Sequence, residues 1–339
     1  KYGHLGVYLH GEGYAIHNMA SLPHISVAGA IASATHGSGV ENGNLATAVS
    51  GLEFVAANGE LVTLSREQHG DEFDGAVVHL GALGILTKVT LDLSPTFLVR
   101  QDVYENLPLA QLEANFDEIQ AHAYSVSLFT DWQNERVNQI WLKRRMAESE
   151  HSARVPSFFE ATLAPANRHP LTERSAEPCT DQIGGPGPWN ERLPHFRMEH
   201  TPSNGEELQT EYFVPIERGV EALRAVANLR DQIAPLLYIS EVRAVAADSL
   251  WMSQNYQRRS LAIHFTWKLN WPDVSAFLPT LEAALEPFEA RPHWGKLFTM
   301  APERVQSLYE RLPDFRALAQ RYDPEGKFHN SFLERYIFS

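Results

Sequence analysis

The stretch SVAGAIASATHGSG at residues 26–39 decides how the first part of the chain is interpreted. Its small side chains leave backbone amides uncovered, and such amides can bind a pyrophosphate. The stretch matches neither the G-x-x-x-x-G-K-[ST] pattern of a nucleoside-triphosphate loop nor the G-x-G-x-x-G turn of a dinucleotide fold. Two interpretations stay open: a segment that wraps a phosphate-bearing ligand, or a close-packed turn with His36 as a hydrogen-bonded core histidine.

Composition limits the class of protein. The chain has 339 residues, with 28 Lys or Arg and 42 Asp or Glu, and a formal net charge of −14. At about 150 residues per domain, this length predicts about two domains. The acidic balance disfavours nucleic acid and anionic membranes as partners, and no apolar run approaches the ~20 residues of a membrane span. The single cysteine, Cys179, excludes an internal disulfide framework and indicates the cytoplasm.

The first 95 residues are rich in strand and turn signals. Asn58-Gly59 lies between strand patterns at 53–57 and 60–64 and predicts a hairpin in which both central residues have φ > 0. A further strand is predicted at 84–93, and Ser94-Pro95 ends it. We place a domain boundary at this proline.

The rest of the chain alternates strand and helix patterns, which predicts an α+β fold whose sheet is covered by helices on one face. Residues 146–195 carry many prolines and are predicted to be irregular. The predicted strands are 124–132, 137–143, 208–214, 237–245 and 261–269. The predicted helices are 109–123, 218–233, 274–288, 302–308 and 315–322, followed by a tail at 327–338.

Polar residues alternate with apolar ones along three of these strands. Residues two apart in a strand share a face, so three polar pairs are predicted: Gln209 with Glu211, Glu241 with Arg243, and His264 with Thr266. If the three strands are neighbours, these faces form one patch that suits a polyhydroxylated ligand. The alternative is a solvated sheet face. The nearby Trp267 and Trp294 favour a lined pocket.

A proline-bounded loop, RPHWGK at residues 291–296, joins aromatic, imidazole and ammonium groups. It is either part of an active site or a packed loop with a surface lysine. The sequence shows no nucleophile elbow, no HExxH and no close cluster of His and Asp, so no metal is expected.

Several segments together resemble the vanillyl-alcohol-oxidase type of flavoprotein, in its sugar-acid lactone oxidase branch. The most specific are MASLPHISVAGAIASATHGSG (19–39), HLGALGILTKVTL (79–91), SLFTDW (127–132) and RPHWGK (291–296). GPWNERLPHFRMEHTPSNGEELQTEYFVP, ISEVRAV and IHFTW fit the same proteins, so the resemblance covers nearly all of the chain. It is strongest to the polyol-oxidising members of the branch.

The resemblance implies a division of the chain and a set of ligand contacts. Residues 1–95 are expected to form the second half of an FAD-binding domain, 96–310 a substrate or cap domain with an antiparallel sheet, and 311–339 a segment that returns to the FAD domain. The implied FAD contacts are Ser26, Gly29, Ser33, Thr35, His36, Gly37 and Ile85. The implied substrate contacts are Ser26, Gln209, Glu241, Arg243, Thr266 and Lys296.

Members of the family also carry an upstream phosphate loop and a histidine bonded covalently to the flavin. This chain starts at Lys1, inside an amphipathic stretch, and has no G-x-G-H-S-type loop. His36 matches the second flavin-binding segment and does not replace the covalent histidine. We therefore expect the chain to be a fragment of a longer enzyme.

The implied reaction is oxidation of the terminal hydroxyl of xylitol or sorbitol to the aldose, with O2 reduced to hydrogen peroxide. Arg243 and Lys296 are expected to stabilise the developing alkoxide, Glu241 to hold Arg243, and His264 to accept the proton. The alternatives are a lactone oxidase of the same fold and an inactive carbohydrate-binding fragment. A monomer is expected.

Overall fold

The computed structural model describes residues 1–146, 153–200 and 206–339. Its α-helices are α1 Tyr2–Gly11, α2 Val27–Ala32, α3 Arg66–Val77, α4 Leu109–Ala114, α5 Phe116–Ala121, α6 Trp189–Arg192, α7 Gly219–Ala227, α8 Arg230–Ile233, α9 Trp271–Leu285, α10 Pro302–Ser307, α11 Leu312–Tyr322 and α12 Ser331–Leu333. Helical turns of other types cover Leu45–Ala48, Ile216–Arg218, Glu286–Phe288 and Glu334–Phe338.

Most of the strands belong to one antiparallel sheet. The strands are β1 Tyr14–Ala15, β2 Val49–Val55, β3 Leu61–Ser65, β4 Ile85–Leu91, β5 Ser94–Pro95, β6 Leu98–Pro108, β7 Ser125–Thr130, β8 Arg136–Met146, β9 Ser157–Phe158, β10 Ala161–Leu163, β11 Gly187–Pro188, β12 Glu207–Pro215, β13 Leu237–Val245, β14 Ser260–Lys268 and β15 Arg291–Pro292. Within the described ranges the large sheet has the order β15-β12-β14-β13-β7-β8-β6-β10-β9, and β11 pairs with β6. This antiparallel sheet is the one expected for the second part of the chain.

A smaller sheet with the order β3-β2-β4 lies in the first part of the chain. The predicted hairpin is present, since Val55 pairs with Leu61 across the Asn58-Gly59 turn. Its turn differs from the prediction: Gly59 has φ +86°, whereas Asn58 does not have a positive φ. The Asn58 side chain instead accepts a hydrogen bond from the Glu60 amide at 3.0 Å, an Asx-type contact that stabilises the turn in another way.

Helices cover one face of the large sheet. On that face lie Tyr212, Val214, Ile263 and Phe265, together with apolar residues of α7 and α9. Trp267 meets Phe277 of α9 edge-on, with ring centroids 5.9 Å apart. Burial of this apolar surface drives the association of helices and sheet, so the expectation of helices on one face is confirmed.

The opposite face of the sheet carries polar side chains. Two parts of the chain cover it, one around Ser38 and one around His169. The Gly39 amide donates to the Ala244 carbonyl at 2.8 Å, and Ser38 Oγ lies 2.5 Å from Ser125 Oγ. The Gln139 side chain donates to the His169 carbonyl at 2.8 Å. The segment predicted as irregular therefore packs on the sheet; residues 147–152 and 201–205 lie outside the described part of the chain.

Two further predictions at the helices need correction. The helix predicted at 109–123 is broken at Asn115, whose side chain donates to the Gln111 carbonyl at 3.0 Å and competes with continued helix. The predicted tail contains α12 and the turn Glu334–Phe338, and Tyr336 packs on Phe298 with ring centroids 4.8 Å apart. In the described ranges, no helix has both the length and the hydrophobicity needed to cross a bilayer.

Candidate active site

Strand register brings the three predicted polar pairs together. β12, β14 and β13 are neighbours in the sheet. Gln209 lies opposite Thr266, and His264 lies opposite both Glu211 and Glu241. The six side chains therefore project from one face, as alternation along the strands predicted.

These side chains line a cavity of about 490 Å3 between the sheet and the chain that covers its polar face. The cavity contains all six predicted substrate contacts and the proposed proton acceptor: Ser26, Gln209, Glu241, Arg243, Thr266, Lys296 and His264. It also contains five of the seven predicted cofactor contacts: Ser26 again, Gly29, Ser33, Thr35 and His36. The structure thus brings the predicted substrate contacts and most of the predicted cofactor contacts together in one continuous cavity.

Glu211 is the centre of the charged groups in this cavity. Its Oε1 lies 2.7 Å from Arg243 Nη2, and its Oε2 lies 2.6 Å from Lys296 Nζ. Arg243 Nε is 3.5 Å from Glu241 Oε1, a longer contact. The expectation that Glu241 holds Arg243 is therefore only partly right, because Glu211 is the closer partner.

The ionisation of Glu211 follows from these cations. Burial alone raises the pKa of a carboxyl group, but the charges of Lys296 and Arg243 outweigh burial and hold the pKa of Glu211 well below its ordinary value. Burial lowers the pKa of Lys296, and Glu211 opposes that shift. Glu211 is thus a carboxylate that keeps two cations fixed on the cavity wall.

His264 lies between Lys296 and Thr266. Its Nδ1 is 2.6 Å from Lys296 Nζ and its Nε2 is 3.1 Å from Thr266 Oγ1. Burial, and then the charge of Lys296, lower the pKa of His264 to about 4. The imidazole is therefore neutral near pH 7, and any proton it takes is held only briefly.

Sequence reasoning did not predict that the segment containing His169, His195 and Phe196 contributes side chains to the cavity. His195 Nε2 lies 2.7 Å from Glu241 Oε1, and His195 Nδ1 lies 2.9 Å from Lys143 Nζ. His195, His169 and Phe196 line the cavity. A signal was present for Lys143, which shares a strand face with Gln139 and Trp141 and directly follows the apolar run Ile140–Leu142.

The wall formed by residues 26–36 contains backbone and hydroxyl groups with little side chain. Ser26 caps α2 by accepting from the Gly29 amide at 3.1 Å, and Gly29 itself is exposed. Ser33 Oγ and Thr35 Oγ1 lie 3.2 Å apart on the same wall. A Cβ on Gly295, in the loop before Lys296, lies 3.8 Å from Ser33 Oγ. This set of small residues and hydroxyls, beside the substrate face, fits the polar edge of a flavin ring.

Two predicted cofactor residues do not line the cavity. Gly37 is buried, and a Cβ there would lie 2.4 Å from both Asn18 Oδ1 and the Met19 carbonyl, so only glycine allows these segments to meet. Ile85 begins β4 and is 63% exposed. Both assignments remain predictions that rest on the resemblance.

The two tryptophans predicted to favour a lined pocket do not line it. Trp267 packs on the helix face of the sheet and donates to Thr210 Oγ1 at 3.0 Å. Trp294 donates to the Met252 carbonyl at 2.7 Å and contacts Tyr309. Strand alternation explains the first error, because Trp267 has the parity of Ile263 and Phe265.

Three buried groups, His36, Glu211 and His293, have ligand atoms within 4.8 Å of one another. Such a set can in principle bind a divalent ion. Here Glu211 is already paired with Arg243 and Lys296, and two fixed cations oppose a third. The sequence-based expectation of no metal remains a prediction.

Comparison with known proteins decides the family. The sequence model described as D-arabinono-1,4-lactone oxidase matches residues 201–336, and the one described as FAD binding domain matches residues 1–65. The alditol oxidase of a Streptomyces species is 48% identical over 336 residues, which cover 98% of this chain and 78% of that protein. The chain belongs to the alditol oxidase family.

This family is part of the vanillyl-alcohol-oxidase flavoproteins, so the resemblance seen in the sequence is confirmed and the cofactor is FAD. More distant relatives of this chain include the L-gulono-1,4-lactone dehydrogenase of Mycobacterium tuberculosis, which is 26% identical over 98% of this chain and 78% of that protein. The bovine L-gulonolactone oxidase is 23% identical over 96% of this chain and 77% of that protein.

Solved structures confirm the α+β fold of the alditol oxidase family for this chain. The cholesterol oxidase of B. sterolicum matches with a TM-score of 0.74 at 15% identity, covering 98% of this chain and 78% of that one. The carbohydrate oxidase of Microdochium nivale matches with a TM-score of 0.71 at 14% identity, covering 99% and 76%. At such identities the likeness concerns the fold alone.

Proposed function

We propose that the chain catalyses FAD-dependent oxidation of the terminal hydroxyl of alditols such as xylitol and sorbitol to the aldose, with O2 reduced to hydrogen peroxide. One observation carries the proposal: a single cavity joins the flavin-binding segment to a sheet face that carries carboxylates, an arginine, an amide and a hydroxyl, with Lys296 on the loop beside it. A polyol needs donors and acceptors in alternation, and this face offers both.

Ser26, Gly29, Ser33, Thr35 and His36, with Gly37 and Ile85, are the residues proposed to hold FAD. When bound, FAD supplies the acceptor for the hydride that leaves the carbinol carbon. His36 ties this segment to the substrate face, because its Nε2 lies 3.2 Å from Glu211 Oε1. A displacement of this segment would therefore also move Glu211 and the two cations that Glu211 holds.

The hydroxyl groups along the substrate are bound by neutral and acidic side chains. Gln209 and Thr266 lie side by side across the β12–β14 pair and offer both donors and acceptors. Glu241 lines the cavity, and its Oε1 meets His195 Nε2 at 2.7 Å. Glu241 Oε2 is thus proposed to accept from a substrate hydroxyl.

Arg243 and Lys296 are proposed to stabilise the oxygen that loses its proton. Both are held by Glu211, so their position is fixed before the substrate arrives. Donors fixed in a buried site stabilise developing negative charge without reorganising. Such donors lower the barrier for hydride departure because the alkoxide is the better hydride donor.

His264 is proposed as the proton acceptor, acting through Lys296. The Lys296 ammonium gives a proton to His264 Nδ1, 2.6 Å away, and takes the proton of the substrate hydroxyl in its place. The low pKa of His264, about 4, makes this protonated state short-lived. The proton then leaves to solvent, and the neutral imidazole is restored.

Steady-state kinetics with peroxide detection test the proposal. We expect the FAD-loaded protein to oxidise xylitol and sorbitol with a higher kcat/KM than galactonolactone. A higher value for the lactone would instead support a lactone oxidase, the alternative favoured by the lactone oxidase match over residues 201–336. Polyol binding without any peroxide would support the non-catalytic carbohydrate-binding alternative.

The monomeric state and the cytoplasmic location expected from the sequence also remain predictions. Size-exclusion chromatography with light scattering tests the first: one chain of 38.1 kDa per particle is the expected result.

A further inference from the structure

Lys143 on β8 is a buried lysine that the proposed reaction does not use. Its side chain is 0% exposed and lies on the polar face of the sheet. Its Nζ contacts the Leu193 carbonyl, the Pro194 carbonyl at 3.3 Å and His195 Nδ1 at 2.9 Å. Within the described ranges, no carboxylate lies within ion-pair distance of it. The three contacts match the three N–H donors of an ammonium group.

The contact with Lys143 determines which nitrogen of His195 carries a proton. An ammonium has no acceptor, so His195 Nδ1 must accept from it. In a neutral imidazole the proton then sits on Nε2. His195 Nε2 lies 2.7 Å from Glu241 Oε1, and the ring is neutral because burial, and then Lys143, lower the pKa of His195 to about 4.

The opposite tautomer would place a lone pair of His195 against the Glu241 carboxylate. That arrangement loses the hydrogen bond and adds repulsion, so Glu241 would move or rotate. Its second anchor, Arg243 Nε at 3.5 Å, meets the same oxygen at a longer distance. His195 is therefore the main group that leaves Oε2 directed to the substrate.

We infer that Lys143 is a positioning residue, which holds His195 in the tautomer that donates to Glu241 and thereby keeps Glu241 as the acceptor for a substrate hydroxyl. The inference rests on the proposed function for its kinetic consequence, but the tautomer itself does not depend on turnover. The alternative role, that of a lysine which only donates to the Leu193 and Pro194 carbonyls, predicts no fixed tautomer of His195.

The surroundings of Lys143 make this arrangement depend on pH. Burial lowers the pKa of Lys143 to about 7; Glu241 and Cys179 oppose the shift, and Arg243 adds to it. Below pH 7 the ammonium fixes the tautomer. Above pH 7 a neutral amine can accept from Nδ1–H, so only Glu241 still favours the donating tautomer; the other tautomer becomes populated and KM for the polyol rises.

Nitrogen NMR of the FAD-loaded protein with 15N-labelled histidine reads the tautomer directly, with the His195 signals assigned by their loss in His195→Gln. At pH 6 we expect Nδ1 unprotonated and Nε2 protonated, and mixed tautomers in Lys143→Met. Gln101→Met is the matched control, because Gln101 pairs with Lys143 in the sheet but contacts Thr180 instead of His195. An Nδ1–H tautomer in the wild type, or unchanged signals in Lys143→Met, would overturn the inference.

Kinetics with xylitol provide the second test. Lys143→Met should raise KM about 10-fold at pH 6, with little change in kcat, since one hydrogen bond to a charged group is lost. It should also abolish the rise of KM above pH 7. In the Lys143→Met background, the added His195→Gln substitution should lower KM again and leave it without pH dependence, because an amide N–H donates at every pH.

The outcomes separate the two proposals. Equal losses of kcat in Lys143→Met and Gln101→Met would indicate general disruption and contradict a positioning role. Absence of peroxide from xylitol with every variant would refute the proposed function, whereas the NMR signals of His195 would still decide the tautomer.

Discussion

The Lys296 ammonium is joined to the Glu211 carboxylate at 2.6 Å inside the cavity. Glu211 has its other oxygen on Arg243, so one buried carboxylate fixes both cations proposed to stabilise the alkoxide. Breaking such a buried set leaves uncompensated charge, which is costly, whereas the intact set holds its members in one geometry. The position of the two cations therefore depends on a residue that need not touch the substrate.

Glu211→Gln is expected to lower kcat for xylitol on the order of 100-fold, because small displacements of positioned groups cost about that much. It should also lower stability by about 3–5 kcal/mol unless Lys296 loses its proton. Peroxide assays and thermal unfolding measure both effects. The control is Glu53→Gln in the surface pair of Glu53 with Lys88; equal behaviour of the two variants would contradict the role of Glu211.

Lys296→Ala and Arg243→Ala should each lower kcat about 10²–10³-fold, as expected for loss of a donor to a developing oxyanion. Lys88→Ala, at an exposed lysine, is the matched control and should leave kcat unchanged. A folded Lys296→Ala or Arg243→Ala variant with near-normal turnover of xylitol would show that the assigned role is wrong.

Gln209→Ala should act on binding. Its amide lies opposite Thr266 and donates to Glu207 Oε1 at 2.9 Å. Loss of ground-state contacts to a substrate hydroxyl raises KM, by up to about 10-fold, with kcat nearly unchanged. Gln320→Ala, at an exposed amide outside the cavity, should change neither constant. A drop in kcat at constant KM would contradict a role of Gln209 in binding the substrate.

Stability should fall as the pH is lowered below 6.5. Burial lowers the pKa of His79 from 6.5 to about 4, so the unfolded chain binds this proton first and acid favours unfolding. The effect is on the order of 3 kcal/mol when complete. His79→Asn keeps an acceptor for the Gly81 amide and should reduce the dependence of melting temperature on pH, while the buried His195 and His264 keep their share of it.

The control for that experiment is His4→Asn, at an exposed histidine of α1. It should leave the slope of melting temperature against pH between 6.5 and 4 unchanged. If His79→Asn and His4→Asn give the same slope as the wild type, burial of His79 is not the source of the dependence.

Gly37→Ala should reduce FAD content. A Cβ at Gly37 would lie 2.4 Å from the Met19 carbonyl, so residues 18–20 must move, and Ala20 lines the cavity. The ratio of flavin absorbance to protein absorbance measures the loss. Gly185→Ala, with nothing within 4 Å of the new Cβ, is the matched control and should retain full flavin.

Alternation made the large sheet predictable. β13 runs from Leu237 to Val245 as predicted, and β12 and β14 differ from the predicted strands by one residue at either end. Side chains of a strand alternate strictly between faces, so the six polar residues could be assigned to one face. Their convergence in one cavity follows from the strand order, which the sequence left open.

The partners of these residues were harder to predict. His195 lies in a segment without periodicity, so its contact with Glu241 depends on tertiary packing alone. Glu211 was assigned to the correct face, but its role as the common partner of Arg243 and Lys296 depends on how the loop at 291–296 folds back. The hairpin turn at Asn58 was misjudged because an Asx contact replaced a positive φ.

In the proposed function, this alditol oxidase family member removes a hydride from a polyol in the cavity beside residues 26–36. An absorption spectrum of the FAD-loaded protein, recorded without oxygen before and after addition of xylitol, tests it most directly. We expect the flavin band to bleach with xylitol and to return with air, with peroxide formed. A flavin band that xylitol leaves unchanged, but that galactonolactone bleaches, would contradict it.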